Sequence, residues 1–76
     1  MIEVYKRFMI KVLDVVALLK DCPDKGLLKG QVGTAVERLA ENVFEVEFSN
    51  TKGEMIALKE VHIDDLFLLH FEIEKV

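Results

Sequence analysis

The sequence predicts a small all-β domain: an antiparallel barrel of about five strands, with a 3-10 turn before the last core strand and strand-like extensions at both termini. Two observations carry this prediction. Apolar and polar residues alternate over residues 43–48, so that Phe44, Val46 and Phe48 share one strand face. Glycines, or Pro23, stand between the other apolar segments, where tight turns are required.

Length and composition restrict the organisation. A chain of 76 residues has room for one small core, so we treat residues 1–76 as one domain, with the barrel at about 12–69 and extensions at 1–11 and 70–76. The chain is 51% hydrophobic and 32% charged, which is typical of a globular protein. Its single cysteine, Cys22, excludes an intrachain disulfide and favours a reducing compartment. With no signal peptide and no membrane span in the sequence, we expect a cytoplasmic protein.

The first two strands are predicted on either side of a long loop. Residues 13–20 are short and rich in β-branched side chains, which favours a strand. The loop follows with Pro23 and Gly26, and a second turn at Gly30 opens the strand 31–38. In that strand Gly33 faces away from its valines and predicts a bulge or a tight bend. Helical spacing over residues 34–42 makes a short helix the weaker alternative.

The second half is predicted as a hairpin and a final strand. Residues 49–53 have the length of a hairpin loop that contains a glycine bulge and end at Gly53. Residues 54–61 return as the next strand, with Ile56 and Leu58 pointing inward. Residues 62–65 are too short for an α-helix and fit a 3-10 turn that leads into the strand 66–73.

These patterns define a predicted core and a set of structural glycines. The expected core residues are Val16, Val32, Val36, Phe44, Val46, Phe48, Ile56 and Leu58. The glycines expected at turns or bulges are Gly26, Gly30, Gly33 and Gly53.

Both termini carry short amphipathic segments, although residues 1–12 alternate less regularly and leave a helix as the second interpretation. A barrel of this size has little surface on which to bury them. Exposed apolar strands are usually covered or used as interfaces, so we expect a homodimer, with folding back of the termini as the alternative. The expected interface residues are Ile2, Val4, Phe67, Leu69, Phe71 and Ile73.

No pattern in the sequence indicates an enzyme, a metal site or a cofactor. The soft ligands Cys22, His62 and His70 lack metal-binding spacing. His62 is expected to open the 3-10 turn and His70 to face solvent. The neighbouring Asp21 and Asp24 oppose a thiolate at Cys22, so we expect an inert loop thiol.

Acidic pairs and glycine spacing have equally plain interpretations. The pairs Glu45 with Glu47 and Glu72 with Glu74 project from strand faces, as solvated carboxylates do. The segment 30–33 leads into a strand and lacks the Lys-Ser/Thr pair of a phosphate-binding loop. We therefore expect no catalytic, cofactor-binding or metal-binding residues.

The charge distribution indicates the kind of partner. A net charge of −4 disfavours nucleic acid, because affinity for phosphates comes from cationic surfaces. A plain solvated surface is the favoured interpretation of the charges, and a dipolar surface for a charged protein partner is the second hypothesis. Its basic side is Lys25, Lys29 and Arg38, and its acidic side is Glu45, Glu47, Glu54 and Glu60. One Tyr and no Trp make a proline-peptide groove a poor fit.

The order of a long first loop, a Gly-containing strand entry, a central hairpin and a 3-10 turn follows that of an SH3-like barrel. The segments LDVVAL at 13–18, GLLKGQVGTAVE at 26–37 and FEVEF at 44–48, with Gly53 and Ala57-Leu58, resemble a small bacterial family of unknown function that is common in cyanobacteria. More distantly, VGTAV at 32–36, VEF at 46–48 and Asp65-Leu66 look like the SH3-like barrels of the photosystem I accessory subunit, the ferredoxin-thioredoxin reductase variable chain and the nitrile hydratase β-subunit.

The resemblance implies a binding role, since in those relatives the barrel binds partners and is not the catalyst. We expect a non-catalytic protein-interaction or accessory module. A small antitoxin or immunity protein that masks a neighbouring toxin is the alternative, favoured by small size and acidic charge. An RNA-associated barrel is a third interpretation, which the net charge opposes.

Overall fold

A computed structural model of the chain describes residues 10–69. Five strands lie in this range: β1 Val15–Leu18, β2 Val32–Ala40, β3 Val43–Ser49, β4 Met55–His62 and β5 Leu66–Leu68. Two 3-10 turns, η1 Pro23–Lys25 and η2 Ile63–Asp65, precede β2 and β5. The strands form one antiparallel sheet of order β4-β3-β2-β1-β5. The prediction of an all-β domain with a 3-10 turn before the last core strand is confirmed. The helical alternative for residues 34–42 is wrong, because residues 34–40 lie in β2 and residues 41–42 form the turn after it.

The core lies on one face of this sheet, which we call the inner face. Phe44, Val46 and Phe48 of β3 are fully buried, as their alternation predicted, and Val16 of β1 joins them. The long segment between β1 and β2 adds Cys22 and the fully buried Leu27. Its backbone is closed by paired hydrogen bonds between these two residues, with N–O distances of 2.8 and 3.0 Å. The other buried members of the cluster are Ile10, Leu18, Ala35, Val61, Ile63 and Leu66.

The face of β2 was predicted wrongly. Val32 is 45% exposed and Val36 is half-buried, whereas the small residues Gly33 and Ala35 lie on the inner face. Gly33 pairs with Phe48 and Ala35 with Val46. The bulky side chains of β3 occupy the space that a second row of valines would need, so packing selects the small residues here.

The bulge predicted at Gly33 is also absent from that position. The register of β2 against β3 shifts between Ala35 and Glu37 and again between Arg38 and Ala40. Gly33 itself stays in register, so its role is a close approach to β3. A Cβ there would lie 2.7 Å from Phe48 Cδ1 and 2.8 Å from the Glu47 carbonyl oxygen.

The inner face of β4 was predicted wrongly as well. Ile56 is 48% exposed and Leu58 is 42% exposed, although both were expected in the core. The register shifts between Phe48 and Ser49, so one extra residue enters β4 and reverses its faces. The residues opposite Phe48, Val46 and Phe44 are therefore Ala57, Lys59 and Val61, which lie on the inner face.

The remaining glycines are at turns. Gly26, Gly30 and Gly53 have positive φ values of 72°, 92° and 84°, which residues other than glycine rarely adopt. Leu13 also has a positive φ of 80°, in the turn before β1. This conformation of a leucine was not foreseen.

One residue of the N-terminal extension, Ile10, contributes to the core. Ile10 is 1% exposed, although the barrel was expected to begin at residue 12. Of the strand proposed for residues 1–12, residues 10–12 are not in a strand and residues 1–9 lie outside the described residues. The part of the last strand beyond residue 69 also lies outside them, as does His70.

Candidate functional site

The face of the sheet opposite the core, the outer face, carries exposed apolar side chains on adjacent strands. Ala17 of β1 pairs with Phe67 of β5 on one side and with Val32 of β2 on the other. Phe67 is 54% exposed and Val32 is 45% exposed, while Val15 lies two residues before Ala17 on the same face and is 36% exposed. We call these four residues the apolar patch.

An open groove of about 730 Å³ adjoins the apolar patch. Its floor is formed by outer-face residues of β2 and β3, namely Val32, Thr34, Glu47 and Ser49. One wall is the turn 28–31, and the other is the β3–β4 hairpin at Asn50 and Thr51. The floor and walls combine apolar, amide and hydroxyl groups with one acidic residue, Glu47, and one basic residue, Lys29, a composition suited to binding a peptide segment.

Hydrogen bonds hold both walls of the groove in place. Asn50 Oδ1 accepts from the backbone N–H groups of Lys52 and Glu54 at 2.8 and 3.0 Å. In the opposite wall, the Lys29 N–H donates to Asp21 Oδ1 at 2.7 Å, and the Gly30 N–H donates to the Leu18 carbonyl at 2.8 Å. The groove is therefore formed by local turn chemistry and needs no ligand to shape it.

A row of three carboxylates crosses the outer face next to the groove. Glu45 of β3 pairs with Glu37 of β2 on one side and Glu60 of β4 on the other, and we call these three residues the acidic row. Like charges directly opposite each other on neighbouring strands repel. Within residues 10–69, the lysine–carboxylate ion pairs are Lys11–Asp14 and Lys20–Asp65, and neither includes a member of the acidic row.

A second, smaller cleft of about 240 Å³ is lined by residues that include Lys20, Cys22 and His62. Cys22 is 5% exposed there. His62 opens η2 as predicted, since its Nδ1 accepts the Asp64 N–H at 3.0 Å. Lys20 Nζ lies 3.2 Å from Asp65 Oδ2 and ties the end of β1 to η2. These groups hold the loop against the sheet, and in the described part of the chain no three His, Cys, Asp or Glu side chains are placed to hold a metal ion.

The structure does not separate basic from acidic residues as the dipolar hypothesis required. Arg38 lies 4.7 Å above the Phe44 ring and donates to the backbone carbonyls of Glu41 and Ile10, so it is not beside the first loop. Lys25 lines a small cleft together with Glu45 and Glu60. The hypothesis is wrong because Arg38 serves a structural role at the far end of β2 and Lys25 reaches the acidic side.

Two residues of the expected dimer interface can be located. Phe67 is exposed in the apolar patch, and Leu69 is half-buried beyond β5, where its N–H donates to the Val15 carbonyl at 2.8 Å. Ile2, Val4, Phe71 and Ile73 lie outside the described residues. The acidic row could not be predicted from the sequence, because it depends on the register shifts in β2 and β4. The exposed side of β2 could not be predicted either, because it depends on the close packing of Gly33 against β3.

Fold and site together define a small all-β domain in which, over residues 10–69, one sheet face is buried and the other carries a groove. The chain belongs to the family described as Domain of unknown function (DUF4926), whose model matches residues 12–68. This agrees with the expectation of a family of unknown function. No curated protein and no solved structure matches the chain. Among the described residues, no helix has the length and apolarity needed to cross a membrane.

Proposed function

We propose that this chain is a non-catalytic interaction or accessory module of the bacterial cytoplasm and that it binds a partner protein through the outer face. The observation that carries the proposal is the apolar patch: Val15, Val32 and Phe67 are exposed on three neighbouring strands beside a preformed groove. Contiguous apolar surface with a polar border is typical of protein-binding sites.

The resemblance to SH3-like barrels supports this role by analogy. The relatives named above use the barrel to hold a partner protein, and none uses it as the catalyst. The analogy concerns the fold alone, so the binding surface is taken from the geometry of this chain.

A small antitoxin or immunity protein is the second candidate, and one observation favours it. The acidic row gives the outer face a negatively charged border. Such a border suits a protein that covers a cationic surface of a toxin encoded beside it. This candidate uses the same surface and differs only in what the partner does.

The test is recovery of a binding partner from the native host with tagged full-length protein. The outer-face variant is Val32→Thr/Phe67→Thr, which keeps residues of good strand propensity but removes apolar area. The matched control is Val12→Thr/Leu39→Thr, which removes two other apolar side chains of 45% and 40% exposure.

We expect the wild type and the control to recover the same partner in stoichiometric amount and the outer-face variant to lose it. Thermal unfolding of each variant establishes that all three are folded. A partner retained by the outer-face variant, or lost equally by the control, contradicts the assignment of this surface.

A further inference from the structure

We propose that the outer face binds a segment of its partner protein in which apolar side chains are followed by Lys or Arg. This inference rests on the proposed function and specifies the chemistry of the partner. The apolar side chains of the segment lie on Val15, Val32 and Phe67, and its cations lie over the acidic row.

The three carboxylates of the acidic row lie side by side and form no ion pair within the described residues. Glu37, Glu45 and Glu60 occupy directly opposite positions on three adjacent strands, where Cβ atoms are about 4.5–5.5 Å apart. Lys25 and Lys59 line a cleft with Glu45 and Glu60, but no described Lys or Arg nitrogen lies within 4.0 Å of the three carboxylates. A cation placed over Glu45 would be attracted by all three carboxylates. It would also offset the repulsion between them, so both effects favour the binding of a basic group.

The acidic row and the apolar patch lie at two positions along the same strand, β2. On β2, Val32 and Glu37 are five residues apart, which is about 15 Å at the rise of a strand. Glu47, in the groove floor, lies between them in the neighbouring strand. A segment that crosses the groove can therefore place an apolar anchor at one end and a basic group at the other, in an extended conformation of about five residues.

The same arrangement disfavours other occupants. A second copy stacked face to face would bring another acidic surface from a chain with a net charge of −4. Nucleic acid and anionic lipid carry the same sign as the acidic row and are repelled for the same reason. A metal ion is disfavoured because no described group of acidic side chains is placed to hold one.

The experiment uses two synthetic 14-residue peptides with the same leucine-rich first half, which is followed by a lysine-rich half in the first peptide and by a glutamate-rich half in the second. Binding to full-length protein is followed by fluorescence anisotropy at several salt concentrations. The acidic-row variant is Glu45→Gln/Glu60→Gln, and its matched control, Asp24→Asn/Glu41→Gln, removes the same charge from exposed positions outside the outer face.

We expect the wild type to bind the Leu/Lys peptide and to discriminate against the Leu/Glu peptide. The acidic-row variant should bind the Leu/Lys peptide about tenfold more weakly, with a flatter salt dependence, while the control changes by less than about twofold. Equal weakening in the control means that only net charge matters and overturns the inference, as does equal affinity for both peptides. A dimer of the wild type that Val32→Thr/Phe67→Thr dissociates also overturns it, because a second copy is then the occupant.

Both variants are also tested for recovery of the partner from the native host. Loss of the partner with Val32→Thr/Phe67→Thr but not with Glu45→Gln/Glu60→Gln contradicts the charge inference and leaves the proposed function intact. Retention of the partner by both variants contradicts the proposed function itself. Loss with both supports the two proposals together.

Discussion

Replacing Gly33 with alanine tests the close packing of β2 against β3. The new Cβ would lie 2.7 Å from Phe48 Cδ1, 2.8 Å from Val46 Cγ1 and 2.8 Å from the Glu47 carbonyl oxygen. These distances are about 0.6–0.7 Å shorter than ordinary van der Waals contact. The carbonyl belongs to the backbone of a central strand and cannot rotate away as a side chain can, so the strands must separate.

We expect Gly33→Ala to lower the free energy of unfolding by about 3 kcal/mol, the upper part of the range for overpacked sites. In a domain of this size such a loss lowers the Tm by more than about 10 °C. The control is Gly53→Ala, where φ is +84° but no atom lies within 4 Å of the new Cβ. Only the strain of the left-handed conformation acts there, and we expect a loss of about 1 kcal/mol.

Both variants are measured by urea denaturation with full-length protein, since the midpoint and the m-value together report stability and cooperativity. If Gly33→Ala loses no more stability than Gly53→Ala at an unchanged m-value, the close approach of β2 to Phe48 is wrong. If Gly53→Ala loses no stability, the positive φ at that turn is wrong.

Three further predictions concern the core, a strained turn and the termini. Phe48→Ala should cost about 3–5 kcal/mol, because Phe48 is fully buried, whereas Ile56→Ala at a 48% exposed position should cost less than about 1 kcal/mol; similar denaturation midpoints would contradict the assigned faces. Leu13→Asn should raise stability by about 0.5–1 kcal/mol, since Asn tolerates the positive φ of 80° better than Leu, and a lower Tm would refute this. Deleting residues 70–76 should convert a homodimer that forms through the termini to a monomer in light scattering without unfolding the domain; a full-length protein that is monomeric at high concentration contradicts the dimer.

The order of strands and turns could be predicted from the sequence because its signals are local. The alternation of Phe44, Val46 and Phe48 fixes one buried face, and Gly26, Gly30 and Gly53 mark turns whose backbone only glycine adopts readily. His62 marks the start of η2, since its side chain satisfies a backbone N–H of that turn. Each of these features depends on residues close in sequence.

The faces of β2 and β4 could not be predicted, because they depend on contacts between strands. Alternation favours the apolar Ile56 and Leu58 as the inner residues of β4, but the shift after Phe48 places Ala57 and Lys59 there. Val32 loses its place to Gly33 for a similar reason, since only a residue without a side chain fits against Phe48. The positions of the acidic row and of Val32 in the apolar patch depend on these contacts between strands. The candidate site could therefore be assembled only from the structure.

The inward position of Lys59 has a consequence for the edge of the sheet. In the sheet of residues 10–69, β4 is an edge strand of eight residues, long enough to pair with a strand from another chain. Lys59 lies on its inner face, half-buried and opposite Val46, with its ammonium able to reach water past the open edge. A strand added beside β4 would remove water from the ammonium of Lys59, which costs free energy. We therefore expect Lys59 to disfavour the addition of a strand along β4, at the expense of one apolar position on the inner face.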